Sequence, residues 1–261
     1  MLTDTHVHFR ETMTPEEMAE VVGRARDAGV GKFIAVGCEP DTNAAALRVA
    51  AMFPDCVKAA VAYDRSLAGS DAKAGDIRDL IRAAPVGQVV AIGEIGLDFY
   101  YSPETAEPQM ELMSSQLALA RELKLPVIVH SREADKETID LLSDHALAWT
   151  GAPGRLGVLH CFTGTEPMAR QLLDLGFMIS FSGIVTFRNA DPLREVARVI
   201  PADRLLIETD TPYLTPVPHR GKPNEPCYLP AIAALIAKVR GISVEELARL
   251  TTANAACLFG L

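Results

Sequence analysis

Eight short runs that are apolar almost throughout recur along this chain: Leu2–Phe9, Lys32–Cys38, Cys56–Ala62, Val89–Gly93, Pro126–His130, Gly157–His160, Phe177–Phe181 and Leu205–Glu208. Strands read this way when they lie parallel and are covered on both faces. Amphipathic stretches such as Pro15–Asp27, Ala44–Met52, Glu107–Leu123 and Pro167–Leu175 separate them. Thr14 stands before Pro15 with Glu17 three places on, which predicts a capped helix start, and Asp41 is the expected cap ahead of Asn43–Ala46. Eight strands with helices between them predict an α/β chain folded as a TIM-like (β/α)8 barrel, and 261 residues agree with the usual size of about 250. A doubly wound open sheet satisfies the same pattern, although no Gly-x-Gly-x-x-Gly turn follows the first strand. The end of the chain reads as two helices, Tyr228–Val239 and Val244–Phe259, and no linker or low-complexity tract interrupts residues 1–261, so one domain is expected.

Composition narrows the function classes. Hydrophobic residues make up 49% and charged residues 23%, as in folded globular proteins rather than disordered ones. The net charge of −9 repels polyanions, so a nucleic-acid substrate would need local Arg and Lys or bound metal to hold it. The five cysteines (Cys38, Cys56, Cys161, Cys227, Cys257) include no Cys-x-x-Cys pair, which argues against zinc ribbons and disulfides. The opening Met1–Arg10 has neither a basic region nor a long apolar stretch, and no apolar run approaches the roughly 20 residues of a membrane span. The expected location is the cytoplasm, with no membrane contact and no obligatory protein partner.

The residues able to carry chemistry fall at one kind of place. His6 and His8 close the first run, Glu94 follows Val89–Gly93, His130 follows Pro126–Val129, His160 follows Gly157–Leu159, and Asp210 comes just after Leu205–Glu208. In a barrel these strand ends face the active site, so six candidate metal ligands from five strands converge there. His6 and His8 are two apart on a strand and therefore share a side. The expectation is one ion on His6, His8 and Asp210, a second on His130 and His160, and Glu94 bridging them. Imidazole and carboxylate suit Zn²⁺ and Mn²⁺ and, less comfortably, Mg²⁺. Any one of these residues alone reads as readily as a cap or a hydrogen-bonded core residue. Only the six together point to metal.

The words around these residues resemble the TatD-type deoxyribonuclease family of metal-dependent, amidohydrolase-like hydrolases. The matching stretches are Asp4–His8, Gly93–Tyr100, Leu125–Arg132, His160–Gly164, Glu208–Leu214 and Arg220–Pro226, so the resemblance covers almost the whole chain. It implies a TIM-like barrel holding one or two divalent ions on His6, His8, Glu94, His130, His160 and Asp210. It also implies cleavage of DNA, often as a 3′-to-5′ exonuclease, or deacylation of D-aminoacyl-tRNA in some members. One departure stands out: Phe9-Arg10 replaces the family's usual Leu-Asp after the His-x-His pair.

Divalent ions lower the pKa of bound water and neutralise phosphate charge, so phosphodiester hydrolysis follows from such a ligand set. Glu94 and Asp210 are the candidate catalytic residues, with Asp210 taking a proton from the attacking water. Glu208, two residues earlier on the same side of the strand, is expected to orient a ligand histidine from behind. Arg132, Arg220 and Lys222 are candidates to grip phosphate, with Arg188 further off. Tyr213 leads Tyr63, Phe99 and Tyr100 as a ring for base stacking. Cys161 lies beside a ligand but should point away, and Asn224 and Glu225 are expected to organise the last loop. The expected partner is single-stranded or frayed DNA. The alternative is an aminoacyl ester on tRNA, because metal-activated water does not choose between phosphorus and carbon. A barrel that only binds has no reason to carry the full ligand set.

Overall fold

The computed structural model describes residues 1–261. Eight parallel strands lie in sequence order, each paired with the next: β1 (Leu2–Val7), β2 (Val30–Val36), β3 (Val57–Val61), β4 (Val89–Asp98), β5 (Val127–Arg132), β6 (Gly157–Leu159), β7 (Met178–Phe181) and β8 (Leu205–Ile207). Helices α1 (Pro15–Asp27), α2 (Pro40–Met52), α3 (Ala74–Ala83), α4 (Ala106–Leu123), α5 (Asp135–Leu147), α6 (Glu166–Leu175) and α7 (Asp191–Val199) alternate with them, and α8 (Leu229–Arg240) and α9 (Val244–Phe259) follow. The expected (β/α)8 barrel is present and the open sheet is excluded. No single helix is long and apolar enough to cross a membrane.

Strand alternation sorts the side chains. Phe33, Ala35, Val127 and Val129 face the helices, whereas Ile34, Val36, Ala60, Ile128, Val158, Met178 and Leu206 meet one another inside the barrel. Ala255, Leu258 and Phe259 of α9 pack into that inner cluster. Two residues further along the same inner face come His130 after Ile128, His160 after Val158 and Glu208 after Leu206. The period of two that fills the floor with hydrocarbon therefore carries the polar residues to the rim above it.

Several boundaries differ from the sequence expectation. The Thr14 cap is as expected: its hydroxyl accepts from Glu17 N at 3.2 Å, and Glu17 Oε2 accepts from Thr14 N at 2.8 Å. Helix α2, however, begins at Pro40 with Glu39 as its cap, and Asp41 lies inside the first turn. Proline suits that first position because its missing N–H would have no helical partner, while Thr42 accepts from Cys38 N and Glu39 N at 2.9 Å each. Strand β1 stops at Val7 rather than Phe9, and β4 runs on to Asp98 rather than ending at Gly93. The extension of β4 depends on Gly96, which pairs with His130 at a φ of +147°. A Cβ there would lie 2.0 Å from the His130 carbonyl oxygen, so only glycine lets the strands approach this closely.

Between β8 and β1 the ladder is replaced by a single bridge, Val7 to Thr211. His8 N donates to Thr211 O at 2.9 Å, and Asp210 N to His6 O at 3.1 Å. Beneath them the fully buried Asp4 carboxylate accepts from Thr209 N at 2.9 Å, Thr209 Oγ1 at 2.6 Å and His6 N at 3.3 Å. Burial pushes the Asp4 carboxyl up to about 7, although these donors pull it down. Asp4→Ala leaves the Thr209 donors without their acceptor and is expected to cost about 2–3 kcal/mol in urea denaturation. Asp4→Asn keeps an acceptor for Thr209 N and a donor for Thr209 Oγ1, and should stay within about 1 kcal/mol. Equal losses in the two variants would show that the charge, not the hydrogen bonds, closes the seam.

Candidate metal centre

Four histidines and three acids from β1, β4, β5, β6 and the segment after β8 meet above the barrel floor. The Nε2 atoms of His6 and His8 are 3.0 Å apart. They face Glu94 Oε2 at 3.3 and 3.6 Å and Asp210 Oδ1 at 4.0 and 3.7 Å. The other Glu94 oxygen, Oε1, faces His130 Nδ1 at 3.5 Å and His160 Nε2 at 3.4 Å. The His160 ring stacks on that of His6 with centroids 3.9 Å apart, which joins the two groups into one cluster. All six residues expected as ligands are thus brought together, with Glu94 between two lobes.

Hydrogen bonds from behind fix which ring nitrogens face inward. His8 Nδ1 donates to Val36 O at 3.1 Å, which leaves its Nε2 lone pair pointing at Glu94 and Asp210. His160 Nδ1 donates to Glu208 Oε1 at 3.2 Å, and the same oxygen accepts Cys161 N at 2.6 Å. Cys161 Sγ meets Ser182 Oγ at 3.2 Å, outside the cluster. The backbone is strained at two of these joints: Cys161 has a φ of +44° and Asp210 one of +59°. Non-glycine residues in that region cost about 1–3 kcal/mol each.

The electrostatics call for cations. Burial raises the Asp210 carboxyl well above the usual carboxylate range, and Glu208, Glu94 and Asp4 add to the rise. Burial lowers the imidazoles of His6 and His130 and brings that of His8 down to about 4. Burial also opposes a charge on His160, but Glu94 and Glu208 outweigh it and raise that imidazole well above its ordinary value. In turn His160 and His6 hold Glu94 well below the carboxylate range against the effect of burial. His6 Nδ1, His130 Nε2, His160 Nε2 and Asp98 Oδ2 are buried without hydrogen-bond partners. Closely opposed lone pairs, crowded acids and unpartnered buried nitrogens fit a site built for divalent metal ions.

The substrate-side candidates are scattered around the mouth. Tyr213 is 61% exposed, and its ring meets that of His8 in a T-shaped arrangement with centroids 6.1 Å apart. The Arg132 guanidinium lies 3.9 Å over the ring of Tyr100 and 4.7 Å over that of Tyr101. Arg220 stacks over Phe187 at 4.1 Å and donates to Thr215 O at 3.1 Å, so its guanidinium braces its own loop. The Lys222 ammonium forms no ion pair, while its carbonyl accepts from Thr215 Oγ1 at 2.7 Å. Tyr63 and Phe99 are partly buried and pack against the core. Asn224 ties the last loop together by donating to Thr209 O at 2.8 Å and Tyr213 O at 2.5 Å, and Glu225 binds Arg24 at 2.8 Å. At the departure Phe9-Arg10, Phe9 is buried in the core and Arg10 is exposed.

Sequence reasoning passed over Arg65, whose Nη1 donates to Glu94 Oε1 at 3.0 Å, and its partners Asp64 and Asp98 at 3.2 and 3.5 Å. It also passed over Cys38, with Sγ 3.7 Å from Glu94 Oε2. Cys38 follows β2 and Arg65 follows β3, the same kind of place that marked the ligands, so position was the available signal.

The sequence model of the TatD related DNase family matches residues 3–260. The chain is 39% identical over 264 residues to the 3′-5′ ssDNA/RNA exonuclease TatD of Erwinia tasmaniensis, covering 99% of each. It is 38% identical over 259 residues to the uncharacterized metal-dependent hydrolase YabD of Bacillus subtilis, again covering 99% of each. Over 184 residues it is 53% identical to the uncharacterized metal-dependent hydrolase YcfH of Escherichia coli K12, which covers 70% of this chain and 68% of that protein. The crystal structure of YJJV, a TatD homolog from Escherichia coli K12, superposes with a TM-score of 0.88 at 32% identity, covering 100% of this chain and 98% of that one. Similarity that runs the length of both sequence and barrel leaves one assignment: this chain belongs to the TatD-related DNase family of metal-dependent hydrolases.

Proposed function

We propose that this protein is a 3′-to-5′ exonuclease that removes nucleotides from single-stranded or frayed DNA ends. The observation that carries the reading is the two-lobed cluster around Glu94 in a chain that aligns over 99% of its length with a relative named a 3′-5′ ssDNA/RNA exonuclease. His6, His8, Asp210 and Glu94 Oε2 would hold one divalent ion, and His130, His160 and Glu94 Oε1 a second. Bound there, such ions activate water and neutralise the charge of the scissile phosphate.

The chain's own residues supply the rest. Asp210, as a carboxylate, would accept a proton from the attacking water and pass it to the leaving oxygen. Glu208 keeps the His160 ring turned so that Nε2 faces Glu94. Tyr213, largely exposed beside the cluster, offers a ring for an unpaired base to stack on, which favours single strands over intact duplex. Arg132, stacked against the Tyr100 and Tyr101 rings, keeps its N–H edges for a phosphate further along the strand.

The test uses chelated protein reloaded separately with Mg²⁺, Mn²⁺ or Zn²⁺. With 5′-labelled single-stranded DNA, a ladder that shortens from the 3′ end is expected, and Glu94→Ala should lower the rate by about 10³-fold or more. Intact DNA alongside deacylated D-aminoacyl-tRNA would instead move the reaction to carboxylic esters at the same residues.

The ligand reading has a thermodynamic signature of its own. His160 is raised, so at pH 7 it carries a proton that an ion on Nε2 must displace. Loading with Zn²⁺ should therefore release protons from His160 and from Asp210, whose carboxyl is also raised, and affinity should fall as the pH drops from 8 to 6. Calorimetry in buffers of different ionisation heat measures the release. No release at all would remove His160 from the ligand set.

A further inference from the structure

Glu94 divides the cluster unequally. Around Oε2 stand His6, His8 and a second carboxylate, Asp210, with no side-chain cation in contact. Around Oε1 stand His130 and His160, and here Glu94 also accepts an N–H from Arg65 at 3.0 Å. The guanidinium is held in place. Its Nη1 binds Asp64 at 3.2 Å and its Nε lies 3.5 Å from Asp98. Asp64 in turn caps the short turn Arg65–Leu67 by accepting Ser66 N at 2.8 Å. Asp98 also lies 3.5 Å from His130 Nε2, on the side of that ring away from Glu94.

We propose that Arg65 is a resident cation of the Glu94–His130–His160 lobe, and that it makes this lobe the weaker of the two metal positions. The protein then loads with divalent ions in two well-separated steps. The inference rests on the metal reading of the cluster and is independent of the substrate. A guanidinium keeps its charge at every physiological pH, so Arg65 does not vacate the lobe by losing a proton. It occupies a lone pair of Oε1 that a second ion would use, and its fixed charge repels that ion at close range. The first lobe has Asp210 where the second has Arg65, which sets the order of filling: His6–His8–Asp210 first, His130–His160 second.

The experiment titrates chelated full-length protein with Mn²⁺, following heat by calorimetry and the exchange-coupled Mn²⁺ pair by electron paramagnetic resonance. The wild type should bind its first ion about 100-fold more tightly than its second, on the scale of ordinary site–site coupling. Its coupled signal should appear only after one equivalent. Arg65→Met should tighten the second step by about tenfold or more and leave the first within about threefold. Arg65→Gln, which keeps an N–H for Glu94 without the charge, should give the same tightening if Arg65→Met folds poorly. Arg65→Lys should restore the wild-type gap. Adding His130→Ala to Arg65→Met should abolish the gain, which locates the tightened ion. Two equal steps in the wild type, or an unchanged or weakened second step in Arg65→Met and Arg65→Gln, overturns the proposal. A wild type that binds no ion at all overturns the metal reading itself, a different result from two equal steps.

Discussion

Asp4 has no solvent contact, yet it accepts hydrogen bonds from residues on both sides of the one seam the barrel does not close with a ladder. Seven strand pairs hold themselves together by regular backbone pairing, but β8 and β1 meet through a single bridge. The chain beyond β8 must therefore be fixed to β1 by other means, and Asp4 does this through Thr209. Asn224 fixes the same short segment from the opposite direction by donating to Thr209 O. Asp210 sits between these two anchors at a left-handed backbone angle, its N–H on His6 O. The seam and the metal centre are one construction, because the residues that finish the barrel also bring Asp210 to His6 and His8.

A cluster this dense in acids and imidazoles opposes folding. Buried carboxylates repel one another and buried nitrogens without partners lose their hydration, so each such group works against the folded state. The hydrocarbon directly beneath offsets that cost: Ile34, Val36, Ile128, Val158 and Leu206 form a dry floor into which α9 sends Leu258 and Phe259. Hydrogen bonds at the rim, to Val36 O and to Glu208, keep the His8 and His160 rings from turning away to find partners elsewhere. Arg65 belongs to the same balance, since it neutralises part of the charge at Glu94, Asp64 and Asp98 while no ion is present.

Much of this was legible in the residues. Parallel strands buried on both faces leave apolar runs, and the two-residue repeat carries His130, His160 and Glu208 onto the inner face whatever the strand's far end does. The His6-x-His8 spacing is informative for the same reason. Strand ends were less legible. The continuation of β4 to Asp98 depends on how closely Gly96 approaches His130, a tertiary contact that local propensity does not encode. The start of α2 depends on Thr42 satisfying two backbone N–H groups behind Pro40. Arginines were least legible, because a long side chain goes where the fold leaves it a partner. Arg132 and Arg220 settled on aromatic rings, while Arg65, which sequence alone did not single out, reached Glu94.

The seam also has a temporal side. The Asp4–Thr209 contact spans 205 positions of chain, and loops of that length close late because so much freedom is lost in bringing their ends together. A ribosome makes β1 early and β8 near the end, so His6 and His8 wait through most of synthesis for Asp210. Until that segment is made, the histidines and Glu94 of the earlier strands lack their second carboxylate. A cluster built across that seam is incomplete in any fragment without the segment after the last strand, because only that segment brings Asp210 to His6 and His8.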